Sequence, residues 1–268
     1  MVHSGNVQNG AVNQCRSQPL TTPGIIYLVW AATGTATNGQ APAFSLLIVD
    51  SAMAISKHLQ AVFFDFDGVL VDSTKLKTQA FYTLFESYPL EAVEEIVNYH
   101  RQHGGVSRVL KIRYAFESIL KLPLVDDQLN ELARRYEELV VQQVISAPWI
   151  AGARQALEAL AGTCQLFLIS GTPQAELRHI IDNRSMAHYF REVLGSPVTK
   201  IKHLHNLLHG YSLQPERCAF VGDAHTDIHA AKCHGIPFIG IQGEYTFPEG
   251  IRVEPDCQRL IEALSRLH

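Results

Sequence analysis

The run Ala61–Phe64, AVFF, leads straight into Asp65-Phe66-Asp67-Gly68, and no other stretch limits the fold of this chain as strongly. Four apolar residues without polar alternation fit a strand buried on both faces, as in a parallel sheet. Residues two apart on a strand face the same way, so Asp65 and Asp67 can aim at one spot where the strand ends. Gly68 then allows a sharp turn. Open parallel sheets bind ligands just beyond the carboxyl ends of their strands. Two carboxylates at such an edge repel each other unless a cation sits between them. A Mg2+ ion held by oxygens, with one carboxylate left to attack as a nucleophile, satisfies that arrangement. The plainer alternative is a loop that happens to carry two acids, and the apolar run argues against it.

After Ser73 the periodicity becomes helical. In TKLKTQAFYTLFESY, Leu76, Ala80, Phe81, Leu84 and Phe85 share one face. EAVEEIVNYHRQ, SRVLKIRYAFESILK and DDQLNELARRYEELVVQQVI continue the pattern, separated by Gly104-Gly105 and Leu122-Pro123. An all-helical block is therefore expected over 74–147. From Pro148 strands and helices alternate. Helices are predicted over Gly152–Ala161, Gln174–Asn183, Lys200–His209, His225–Cys233 and Cys257–Leu267. Strands are predicted over Cys164–Ile169, Glu192–Leu194, Cys218–Val221 and Phe238–Ile241. Such alternation implies an α/β fold, a Rossmann-like parallel sheet flanked by helices, built from 58–73 and 148–268 with the helical block inserted.

Residues 1–57 read differently. Up to Ser56, Arg16 and Asp50 are the only charged side chains, and the apolar patches Ile25–Ala32 and Phe44–Val49 are short. A membrane span takes about 20 apolar residues, and a signal peptide would have an unusually long, weakly basic start. The segment is expected to be disordered or outside the fold, with Met53 as a plausible start. A formal net charge of -4 makes nucleic acid or an anionic membrane a poor partner. Five cysteines without CxxC spacing suggest neither a disulfide framework nor a zinc site, and a reducing cytoplasm fits. Cys164 and Cys218, in apolar runs, are expected to be buried thiols.

DFDGVLVDS resembles the first signature of the haloacid dehalogenase superfamily, DxDGxLxDS. The resemblance extends over 61–268 and implies the superfamily's core, with the helical block as its cap. It also implies a role for each matching residue. Asp65 attacks phosphorus and becomes an aspartyl-phosphate, while Asp67 protonates the leaving oxygen and then deprotonates the hydrolytic water. Mg2+ is held by Asp65, the backbone carbonyl of Asp67, and Asp223. In Gly222-Asp223-Ala224-His225-Thr226-Asp227, similar to GDxxxD, Asp227 binds the metal or orients Asp223; capping the next helix is its plainer role. Ser170 and the N–H of Gly171, after a predicted strand, match the second signature as phosphate donors, although a serine there is often only an N-cap. Lys200 in GSPVTK matches the lysine of the third, with Lys202 as the fallback. Asp72 reads as structural.

The cap should choose the substrate. Gly105-Val106-Ser107-Arg108 resembles the cap loop of beta-phosphoglucomutase, which implies that Arg108 binds an anionic substrate such as phosphoglycolate or a sugar phosphate. The expected activity is a Mg2+-dependent phosphatase for a small phosphorylated metabolite, acting as monomer or homodimer. A phosphomutase is the first rival, although Gly222-Asp223 departs from the Glu-Asp of the mutases. Phosphonate C–P cleavage is the second; it needs a cap lysine, and nothing in the sequence marks Lys75, Lys77, Lys111 or Lys121. A silent binding module is the third, disfavoured because every chemical position is filled. Dehalogenation is disfavoured by Asp67. His203, His205, His225 and His229 lack a third ligand at sensible spacing and are expected on the surface.

Overall fold

The computed structural model describes residues 59–267. The expectations for the first 57 residues, including the Met53 start, lie outside that range. Six parallel strands form one sheet in the order β3-β2-β1-β4-β5-β6. They are β1 Ala61–Phe64, β2 Gln165–Pro173, β3 Glu192–Ser196, β4 Cys218–Gly222, β5 Phe238–Ile241 and β6 Val253–Glu254. β1 is central, in register with Gln165–Leu168 on one side and Cys218–Val221 on the other.

The unbroken apolar run serves two cores. Val62 and Phe64 join the larger cluster, which extends into the helical block, while Ala61 and Phe63 join the other. Phe63 stacks between Phe167 and Phe220, with ring centroids 5.4 and 6.4 Å away. A fully buried side chain of this kind contributes about 1.5–3 kcal/mol. These contacts hold the end of β1 still.

Between β1 and β2 the chain is helical: α1 Thr74–Phe85, α2 Leu90–Gln102, α3 Arg108–Tyr114, a π-helical turn Ala115–Leu120, and α4 Asp126–Ser146. The third helix was expected to be continuous to Lys121. Its wider last turn instead buries Phe116 against Phe85 and Tyr88, at centroid distances of 6.2 and 6.0 Å. The remaining helices are α5 Ala153–Leu160, α6 Gln174–Asn183, α7 Lys200–Gly210, α8 His225–Cys233 and α9 Leu260–Ser265. The Asp72 N–H donates to Pro148 O at 3.0 Å, pinning the segment that enters the helical block to the one that leaves it.

The largest departures from expectation are two boundaries and one additional strand. β2 runs on to Pro173 because its pairing with β3 resumes there, Pro173 opposite Ser196, after an irregularity. β6, two residues long, is too short to show a period. α9 starts late because the Asp256 carboxylate accepts the Gln258 N–H at 2.8 Å, a local turn that competes with helix. Cys218 is buried as expected, Cys164 only partly. Among the described residues no helix is long and apolar enough to cross a membrane.

Candidate active site

The chain runs β1, β2, β3 outward on one side, then returns to β4 on the other side of β1. Such a reversal opens a crevice at the carboxyl ends of the strands. Asp65 follows β1 directly, and its N–H donates to Val221 O at 2.9 Å, so the ladder positions it. Asp223 follows β4, and Asp227 lies in the first turn of α8. One carboxylate oxygen from each of these three buried residues lies within 4.8 Å of the others. Gly68 makes room for them: its φ is +77°, and a Cβ there would sit 2.1 Å from Asp223 Oδ2.

Lys200 is buried beside this trio: its Nζ donates to Asp227 Oδ1 at 2.5 Å and forms an ion pair with Asp65 Oδ1 at 2.8 Å. Lys202 is exposed, and its N–H instead meets the N-cap Thr199 hydroxyl. Asp227 also accepts the Ala224 N–H at 3.0 Å. It therefore caps α8 and anchors Lys200, uniting the two roles that the sequence left open.

The Asp67 carboxylate belongs to a separate group. It accepts from Ser73 Oγ at 2.6 Å, Lys77 Nζ at 2.6 Å and Thr172 Oγ1 at 3.2 Å. Ser170 is buried, and its Oγ accepts the Thr172 N–H at 3.1 Å, which shapes the turn that presents Gly171. Gly171, Asp65, Asp67 and Asp223 line one cavity of about 100 Å3.

Burial pushes the Asp65 carboxyl up to about 7 against the pull of Lys200, and Asp227 and Asp67 add to the rise. Burial, then Asp65 and Asp227, push Asp223 well above the carboxylate range. Burial alone would lower Lys200, yet Asp227 and Asp65 hold its ammonium above the ordinary value. Asp67 goes the other way: burial opposes ionisation, but Lys77, Ser73 and Thr172 outweigh it and hold the carboxyl below its usual value. Three buried carboxylates around one ammonium lack positive charge. A donor set made only of oxygens fits a hard cation such as Mg2+.

The opposite wall comes from the helical block. Arg108, expected to meet substrate, is buried and lines the cavity, but its Nη2 pairs with Glu176 on α6 and, at 3.4 Å, with Glu137. Lys77, His100 and Lys111 also line it. The sequence offered weak signals for these. Lys77 lies one helical turn past Ser73, and Glu176 reads as an ordinary first-turn acid. Gly105, with φ +74°, lets the 103–107 turn press onto the sheet: a Cβ there would fall 2.0 Å from Thr226 Oγ1. Thr226 Oγ1 donates to Gly104 O at 3.0 Å. Of the four histidines, His203 is a correction: it is buried, with Nε2 2.9 Å from Gly195 O, because its face of α7 packs on the sheet. His225 and His229 are exposed with stacked rings 5.7 Å apart.

The fold and the carboxylate cluster together define a buried acidic site at the strand tips of a parallel sheet flanked by helices. The model of the haloacid dehalogenase-like hydrolases matches residues 62–241, and the chain belongs to that family. It is 26% identical over 226 residues to a phosphoglycolate phosphatase of Salmonella typhimurium, covering 75% of this chain and 88% of that one. In fold it is similar to a predicted phosphoglycolate phosphatase from Haemophilus somnus, with TM-score 0.60, 20% identity, and 77% and 98% of the two chains covered. A putative beta-phosphoglucomutase from Thermotoga maritima gives TM-score 0.57, 21% identity, and 78% and 100% coverage.

Proposed function

We propose that this enzyme is a Mg2+-dependent phosphatase that hydrolyses a small phosphorylated metabolite of the phosphoglycolate or sugar phosphate type. The observation that carries this reading is the trio Asp65, Asp223 and Asp227 converging with Lys200 at the strand tips. The phosphatase relative and the small cavity support it. Asp65, Asp223 and Asp227, with the backbone of Asp67, would hold the ion. When bound, Mg2+ supplies charge that offsets repulsion between Asp65 and a phosphate dianion and stabilises the transition state.

The chain's own groups do the rest. An Asp65 oxygen attacks phosphorus and the bond to the leaving oxygen breaks, giving an aspartyl-phosphate. Asp67 protonates the leaving oxygen, then takes a proton from the water that attacks the same phosphorus and frees Asp65. With Lys77 at 2.6 Å, Asp67 is held ionised, the form that accepts a proton from water. Lys77 sits on α1, so moving that helix outward would let Asp67 regain a proton for the first step. Gly171 N–H and Lys200 receive the phosphoryl oxygens, and Ser170 shapes the turn. The 74–147 block acts as the cap, and Arg108 shapes its inner wall.

The test is release of phosphate from p-nitrophenyl phosphate with Mg2+, and then from a panel of phosphorylated metabolites. Asp65→Asn should lower turnover by on the order of 10^4 or more; an unchanged rate overturns the reading. Transfer between positions of a hexose phosphate without phosphate release would instead favour the mutase.

A further inference from the structure

We infer that Lys111, on α3, is the residue that recognises a second anionic group of the substrate, a carboxylate or a second phosphate distant from the phosphoryl group transferred. The inference rests on the phosphatase reading and names the group that selects among its substrates.

The cavity is lined by several cations, and most of them have an ion-pair partner. Lys77 is paired with Asp67 and Arg101 with Glu244, and beside the cavity Lys200 is paired with Asp65 and Asp227. The charge of Arg108 is neutralised by Glu176 and Glu137 at Nη2, although its buried Nη1 has no hydrogen-bond partner. Lys111 is different. It is 4% exposed and lines the cavity, yet among the described residues no carboxylate forms an ion pair with it; Asp67, Glu244 and Asp223 attract it only from a longer range. Its Nζ lies 3.2 Å from His100 Nδ1 and 3.2 Å from His100 O. An ammonium has three N–H donors, so one remains without a protein acceptor. The Phe81 ring, 6.0 Å from Nζ, offers only a weak cation–π contact.

His100 cannot serve as the counter-charge. Burial, Lys111, Lys77 and Arg101 keep it neutral, well below its usual range. Burying an ammonium without a paired opposite charge is costly, and an incoming anion would offset that cost. With the phosphoryl group directed to Asp65 on the sheet wall, Lys111 lines the α3 end of the same small cavity. An anionic oxygen at that end would fill the vacant position and supply the missing charge.

The experiment compares wild type, Lys111→Met and Lys111→Arg on three esters: ethyl phosphate, 2-phosphoglycolate and 1,3-propanediol bisphosphate. Methionine keeps the length of the side chain and removes a buried charge, so folding is not threatened. Lys111→Met should raise KM by about 10–100-fold for whichever doubly anionic ester is preferred, with ethyl phosphate changed less than twofold and Lys111→Arg partly restoring the difference. The two doubly anionic esters distinguish carboxylate from phosphate. Equal loss on all three esters, or no loss on any, overturns the assignment.

If wild type releases phosphate from none of them, the phosphatase reading has failed, and Lys111 is judged by binding alone. Calorimetric titration with phosphonoacetate and ethylphosphonate should show the former at least tenfold tighter, with the advantage erased in Lys111→Met. Equal affinities overturn the inference. Covalent capture of Lys111 by borohydride with an aldehyde phosphonate would also overturn it, because the amine would then be a nucleophile.

Discussion

On the sheet side of the cavity, Asp65 and Asp227 share Lys200, and Asp223 stands beside them. On the helical wall, Lys77, Arg108 and Lys111 look across at them. The two walls also differ in how they are held. The sheet wall is placed by backbone: β1 pairs on both sides, and the Asp65 N–H is part of the ladder. The helical wall meets the sheet through side chains, namely Lys77 on Asp67, Arg108 on Glu176 and Thr226 on the Gly104 carbonyl. Backbone ladders hold the sheet-side acids in place, whereas side-chain contacts can be exchanged or released. Under the proposed phosphatase reading, with the helical block as a cap, chemistry would sit on the rigid edge and selection on the other.

That contrast can be broken in several ways. Asp67→Asn should reduce turnover by about 10^2–10^4-fold, measured as phosphate release. A near-normal rate would mean that Asp67 only fastens Lys77. Lys200→Met should cost the metal-free protein about 3–5 kcal/mol in urea unfolding, because buried carboxylates lose their partner. Added Mg2+ should recover part of the loss, and no loss at all would show that the sheet wall tolerates its own charge.

A subtler effect concerns Lys111. Burial and then Lys77 press its ammonium down to about 7, below the ordinary lysine value. The folded state therefore binds fewer protons than the unfolded state between that pH and the unfolded lysine pKa. Its stability should rise across this window, and Lys111→Met should flatten the rise in pH-dependent thermal unfolding. The smallest effect is expected for Thr226→Val, which removes one hydroxyl between the walls. It should cost about 1 kcal/mol and leave turnover of small esters within a few-fold.

Much of the sheet wall was legible along the chain. β1, α6, α8 and β5 start and end where composition and period place them, because each is an apolar run or stripe bounded by turn residues. The acids of the site follow strands directly in sequence, so their placement comes with the strand. The helical wall was harder to read. Lys77, His100 and Lys111 lie on three different helices, and a lysine on an amphipathic helix ordinarily faces water. Arg108 was visible as a basic residue of the cap loop, but its partner Glu176 is 68 positions away on another element. His203 shows the same limit: nothing local to HLH reveals that its ring would be needed by a carbonyl of the preceding turn.

Sequence alone therefore determined the parallel sheet, the inserted helical run and the four acids of the crevice, because periodicity and strand ends are local properties of a chain. Tertiary structure decided which acids share a lysine, that Asp67 is claimed by Lys77, and that Lys111 is left without an ion-pair partner among the described residues. Those outcomes depend on distances between elements far apart in sequence. An ion pair or an unmatched charge exists only once the walls have met, since its energy depends on separation and burial rather than on residue type.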